Sequence, residues 1–84
     1  MRYFFDIQDG KHIAKDDIGV DCLGDNAARV EATRALTEMA SDYLPSDGLS
    51  RHLAIHVRST VAALFSVDLQ YSVLTNSGRR LADV

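Results

Sequence analysis

Two histidines four residues apart, His52 and His56, are the first residues whose spacing invites chemistry. On a helix they would sit one turn apart on one face, the arrangement that zinc sites use. Their surroundings say strand instead: Leu53, Ile55 and Val57 face one way, and His52, Ala54, His56 and Arg58 the other. Four residues along a strand span about 13 Å, too far for both rings to reach one ion. The run His-Leu-Ala-Ile-His also lacks the glutamate that the metalloprotease motif needs as general base. The pair reads as two solvent-facing histidines, and no metal ligand is assigned.

The second group is acidic. Asp16, Asp17 and Asp21 flank Gly19, and Asp6, Asp9 and Asp25 could approach them in space. Calcium favours such oxygen clusters, but the spacing is not that of an EF-hand loop, which closes on a bidentate Glu. Turn formation and helix capping account for these residues more simply. A small-ligand or divalent-cation function for the acidic loop 16–21 is the alternative reading of the chain. Nucleophilic catalysis would need Cys22 or a serine beside a base. No motif surrounds Cys22, which reads as a buried or half-buried structural thiol. Gly10, Gly19, Gly24, Gly48 and Gly78 are too scattered for a phosphate-binding loop. No catalytic residue and no cofactor is expected, and the chain reads as a non-enzyme.

Composition narrows the setting. The 84 residues have room for one domain, able to bury about 60–65% of the unfolded surface. Net charge is −3, and no basic run exceeds Arg79-Arg80. That is no electrostatic footprint for nucleic acid or an anionic membrane. Tyr3, Phe4 and Phe5 are of the type that stacks on RNA bases, but the negative charge argues against it. A single cysteine excludes an internal disulfide. Asp6 and Asp9 interrupt the apolar start that a signal peptide would need. The longest apolar stretch, Val61–Phe65, is far too short to span a bilayer. The expectation is a cytoplasmic soluble protein.

The elements that position these residues follow from periodicity. Ala28, Ala32, Ala35, Leu36, Met39 and Tyr43 form one stripe of a helix over Asp25–Leu44, with Asp25 as N-cap and Pro45 ending it. Ser46-Asp47-Gly48 is then a turn. Arg2–Gln8 alternates as a strand, with Tyr3, Phe5 and Ile7 on one side, and Asp9-Gly10 turns into a short return at Lys11–Ala14. Ile18–Leu23 is an extended piece leading to the helix. Arg51–Arg58 and Phe65–Val73 are two further strands, joined by a turn at Ser59–Ala63 that contains no Gly, Pro, Asn or Asp. The fold class is α+β in the order β-β-α-β-β: an antiparallel sheet of three to four strands with one helix on one face. Residues 1–74 form the domain, and 75–84 a flexible tail.

Arg2-Tyr3-Phe4-Phe5-Asp6-Ile7, Asp9-Gly10, Asp17-x-Gly19-Val20 and the helix opening Asn26-Ala27-Ala28-Arg29-Val30-Glu31-Ala32 carry a resemblance. Over residues 2 to 73 the chain resembles a family of small domains of unknown function found mostly in rhizobia and other alphaproteobacteria. It departs from that pattern at Ser59-Thr60-Val61-Ala62-Ala63, where the family usually has an acidic, Gly-containing turn. The resemblance implies the fold and a bacterial cytoplasmic setting, and it carries over no catalytic residue.

With Tyr3, Phe5 and Ile7 turned to the helix, Phe4 falls on the uncovered face of the sheet, joined by Ala54, Leu64 and Leu74. A bare face and exposed edge strands are two natural docking surfaces. The sequence therefore reads first as a protein-interaction module, with a protein partner or a second copy of itself meeting the open face or an edge strand.

Overall fold

The computed structural model describes residues 1–46 and 48–81. Its elements are β1 (Arg2–Asp9), β2 (His12–Ala14), β3 (Val20–Asp21), α1 (Asp25–Tyr43), β4 (Ser50–Arg58) and β5 (Ala63–Ser72). Among the described residues the fold is α+β, an open antiparallel sheet with a single helix packed on it. The strand order is β2-β1-β4-β5, with β3 also pairing with β1. The sheet has five strands rather than three to four, because the extended piece before the helix contributes β3. That two-residue strand pairs Arg2 with Asp21 and Tyr3 with Val20, while β2 pairs with residues 7–9 of the same β1 edge. Two residues carry no period, so their pairing left no mark in the sequence.

The alternating rows land as their spacing requires. Leu53, Ile55 and Val57 are buried beneath Ala28, Ala32 and Leu36 of α1, with Tyr3 beside them. The small Ala28 and Ala32 are fully buried and let the helix approach the sheet closely. Phe5, Phe65, Val67, Leu69, Ala35 and Met39 pack around this centre, only partly buried. The helix lies over β4 and β5, so Ile7, at the far end of β1, remains 37% exposed rather than joining the core.

Both ends of α1 are tied to the sheet. The Tyr3 hydroxyl donates to Asp25 Oδ1 at 2.7 Å, and the Arg51 guanidinium lies 4.9 Å from the Tyr43 ring centroid while also pairing with Asp9. Asp25 is therefore not the N-cap. Gly24 holds that position without a side-chain cap, and Asp25 is the first helical residue, its carboxylate taken by Tyr3. Tyr43 ends the helical stretch and Leu44 is its C-cap, one residue short of the expected end.

The Ser59–Ala63 connection closes through a hydroxyl. Ser59 Oγ accepts the N–H groups of Val61 and Ala62 at 3.2 Å each, and the Ser59 N–H donates to the Ala62 carbonyl at 2.8 Å. A serine thus does the work of the missing Gly or Asn, and a register shift follows at Val57/Arg58. Of the segment read as a tail, residues 75–81 turn back: the Thr75 N–H donates to the Arg79 carbonyl, and Leu74 bridges Arg80. Asp47, in the expected Ser46-Asp47-Gly48 turn, and residues 82–84 lie outside the described residues.

Candidate interaction surfaces

Of the acidic residues, Asp6 and Asp16 meet at one junction beside β1. Between β2 and β3 the chain leaves the ladder, and Asp16 replaces the missing strand partner. Its Oδ2 accepts the Phe5 N–H at 3.1 Å, and its Oδ1 accepts the N–H groups of Ile18 and Gly19 at 3.0 Å each. Burial disfavours the Asp16 charge, but these three donors outweigh it and hold the carboxyl below its usual range. Asp6 Oδ1 accepts the Asp16 N–H at 2.9 Å, and Arg58 Nε donates to Asp6 Oδ2 at 2.8 Å. That Arg58 bond lowers the Asp6 carboxyl despite burial, and the same bond raises Arg58. Arg58 also donates to the Asp16 carbonyl at 2.9 Å. Gly19 closes the loop at φ +79°, where an added Cβ would come within 2.9 Å of Arg2 Cγ and 3.0 Å of the Tyr3 carbonyl. Asp21 faces Arg2 at 3.8 Å. Asp6 and Asp16, like Asp25, are thus directed inward at the fold.

The histidines belong to a second polar set on the sheet face away from the helix. His52 Nε2 meets Asp68 Oδ1. His56 bonds Ser66 Oγ through Nδ1 and Gln8 Oε1 through Nε2, at 2.6 Å each. Among the described residues, no three His, Cys, Asp or Glu side chains group in a way that could hold a metal ion. Cys22 is half-buried against the core edge, its backbone paired with Met1.

The face expected to be uncovered carries a polar lattice of Asp6, Gln8, His52, His56, Arg58, Ser66 and Asp68. Phe4 is half-buried, with the Arg58 guanidinium 4.6 Å above its ring. Ala54 is only 2% exposed, flanked on the ladder by Gln8 and Asp68. Leu64 and Leu74 are exposed, but Leu64 sits at the bulged start of β5 and Leu74 lies beyond its end. These four residues do not make one patch.

Two other surfaces stand out. One is an open cleft of about 380 Å³ on the helix side, where α1 leaves β1 uncovered; Phe5, Ile7, Ala14, Val20 and Ala35 give it apolar walls, with Lys15, Asp16 and Glu31 beside them. The other is the outer border of β5. The sheet's opposite border is made of three-residue β2 and two-residue β3, with Lys11 and Lys15 nearby. Short strands and lysines are how edges are blunted. β5 runs for ten residues with no Lys, Pro or Gly, and its one charge is Asp68. Sequence reading found this strand but could not place it at the border, since strand order is not encoded in alternation.

No helix among the described residues is long and apolar enough to cross a membrane. No curated protein and no solved structure matches the chain. Residues 2–70, most of the molecule, match the family described as a domain of unknown function, DUF6894, and the chain belongs to that family.

Proposed function

We propose that this protein is a small non-enzymatic interaction module that accepts a partner strand along the outer border of β5. The carrying observation is the ten-residue border strand with a single charge, set against an opposite border cut into two short strands. Strand addition draws its affinity from main-chain hydrogen bonds and its specificity from alternate side chains. Phe65, Val67 and Leu69 supply a partly buried apolar row on one face, and Ser66, Asp68 and Gln70 a polar row on the other. The non-enzymatic half of the reading is supported by what the reactive-looking side chains do. Asp6, Asp16, Asp25, His52 and His56 each hold another part of the same fold. The resemblance and the lone Cys22 suit a bacterial cytoplasmic setting.

Amide hydrogen exchange tests the docking mode. A panel of synthetic decapeptides with alternating apolar and polar residues is titrated against the protein. Binding peptides are expected to slow exchange at alternate amides of residues 63–72. If no peptide protects β5, or protection falls on the helix-side cleft instead, the reading is wrong.

A further inference from the structure

Resting on that edge-strand reading, we infer that the strand β5 receives is β5 of a second copy, in a two-fold antiparallel register centred on Val67. The border's own residues select this register. Directly opposed side chains in an antiparallel pair share a face and interact, and like charges opposite each other destabilise. Centring on Val67 sets Val67 against Val67 and Phe65 against Leu69, so the apolar row continues across the junction on the helix side. On the other face Asp68 meets the neutral Ser66 of the second copy, and Leu64 meets Gln70. Residues 64–70 of each copy find a partner, most of β5. Centring on Asp68 would oppose two carboxylates. Centring on Ser66 would set Asp68 against Leu64. A register centred between residues would turn the apolar row of one copy against the polar row of the other and put the helices on opposite sides of the sheet. Within its own chain Asp68 is met by His52 and Ser66 by His56, which fixes both side chains on the face where the copies would meet.

Light scattering across about 1–500 µM is expected to give a concentration-dependent rise toward twice the 9.2 kDa of one chain. Ser66→Lys would place a cation against Asp68 of the other copy, at two symmetric points, and tighten the dimer by about tenfold. Ser66→Asp would loosen it by about tenfold. Gln70→Lys makes the same change in net charge but faces Leu64, so the dissociation constant should move by no more than about twofold. In a Cys22→Ser background, Val67→Cys should form a disulfide-linked dimer under mild oxidation and Asp68→Cys should not, because only the axial position brings two copies of one residue within bridging distance. A monomer at every concentration, equal effects of Ser66→Lys and Gln70→Lys, or crosslinking at Asp68→Cys in place of Val67→Cys overturns the inference. If the chain stays monomeric while decapeptides protect β5, self-pairing is wrong and the strand-addition reading stands; if neither occurs, both are wrong.

Discussion

At the residue scale the decisive side chain is Asp16, which stands in for a missing piece of β-ladder by receiving the N–H groups of Phe5, Ile18 and Gly19. Removing it leaves the half-buried Phe5 amide without an acceptor. Asp16→Ala should lower unfolding free energy by about 2 kcal/mol in urea titrations, and Asp16→Asn, which keeps one carbonyl oxygen, by about 1 kcal/mol. Equal costs for the two would show that the backbone bonds are not what matters. Tyr3 makes a second prediction. Its hydroxyl donates to Asp25, its ring is buried, and the neighbouring carboxylate opposes a phenolate, so its pKa is pushed up to about 12 from the ordinary 10.0. The folded state therefore favours the protonated form. Tyr3's contribution to stability is intact below pH 10 and is lost as pH rises toward 12. Thermal melts from pH 8 to 12 should show a steeper alkaline decline for the native chain than for Tyr3→Phe. Asp16 was legible as an acidic loop residue but not as the inward-facing one. Asp16 and Asp17 are identical in type, and only the path of the chain between β2 and β3 distinguishes them.

At the scale of elements, the loop that joins β2 to β3 depends on Gly19 in a way that the hairpin does not depend on Gly10. Both have positive φ, +79° and +60°. A Cβ at Gly10 would meet open space, whereas at Gly19 it would press on Arg2, Phe4 and the Tyr3 carbonyl. Gly10→Ala should cost about 1 kcal/mol, the left-handed backbone penalty alone. Gly19→Ala should cost about 3 kcal/mol, since strain and crowding add. Paired denaturant titrations compare them directly; equal losses would mean that the crowded approach to β1 is relieved at no expense. The larger elements were open to sequence reasoning because burial imposes rhythm. Leu53, Ile55 and Val57 could not alternate by chance with two histidines and an arginine, and Ala28, Ala32 and Leu36 lie one helical turn apart. What resisted reading was short or side-chain driven. Val20–Asp21 is too brief to have a period, Ser59 closes a turn without turn-forming neighbours, and Gly24 holds the helix start because Asp25 is engaged by Tyr3. Alternation did put Gln8, His52, His56 and Arg58 on the reverse face around Ala54, but not which partners they would take there: Asp68 for His52, Ser66 and Gln8 for His56, and Asp6 for Arg58.

For the whole molecule, three carboxylates set the acid limit. Hydrogen bonds and charge from Arg58 lower Asp6, those from Arg51 lower Asp9, and backbone donors lower Asp16 against the effect of burial. A carboxyl depressed in the folded state stabilises above its unfolded value of about 3.9 and loses that contribution as pH falls through its folded value. Unfolding free energy should therefore be level near neutrality and decline below about pH 4. Arg58→Gln should start that decline from a lower plateau and make it shallower, because Asp6 would then titrate nearer its ordinary value. An acid profile unchanged by Arg58→Gln would remove the Asp6 pair from the account. The two borders of the sheet carry one further consequence. Strand-by-strand growth needs a receptive border at each end of every unit, and here the β2–β3 side is broken into fragments too small to template another chain. Whatever joins at β5 therefore meets a dead end on the far side, so even at high concentration these molecules would form finite couples and not ribbons or fibres.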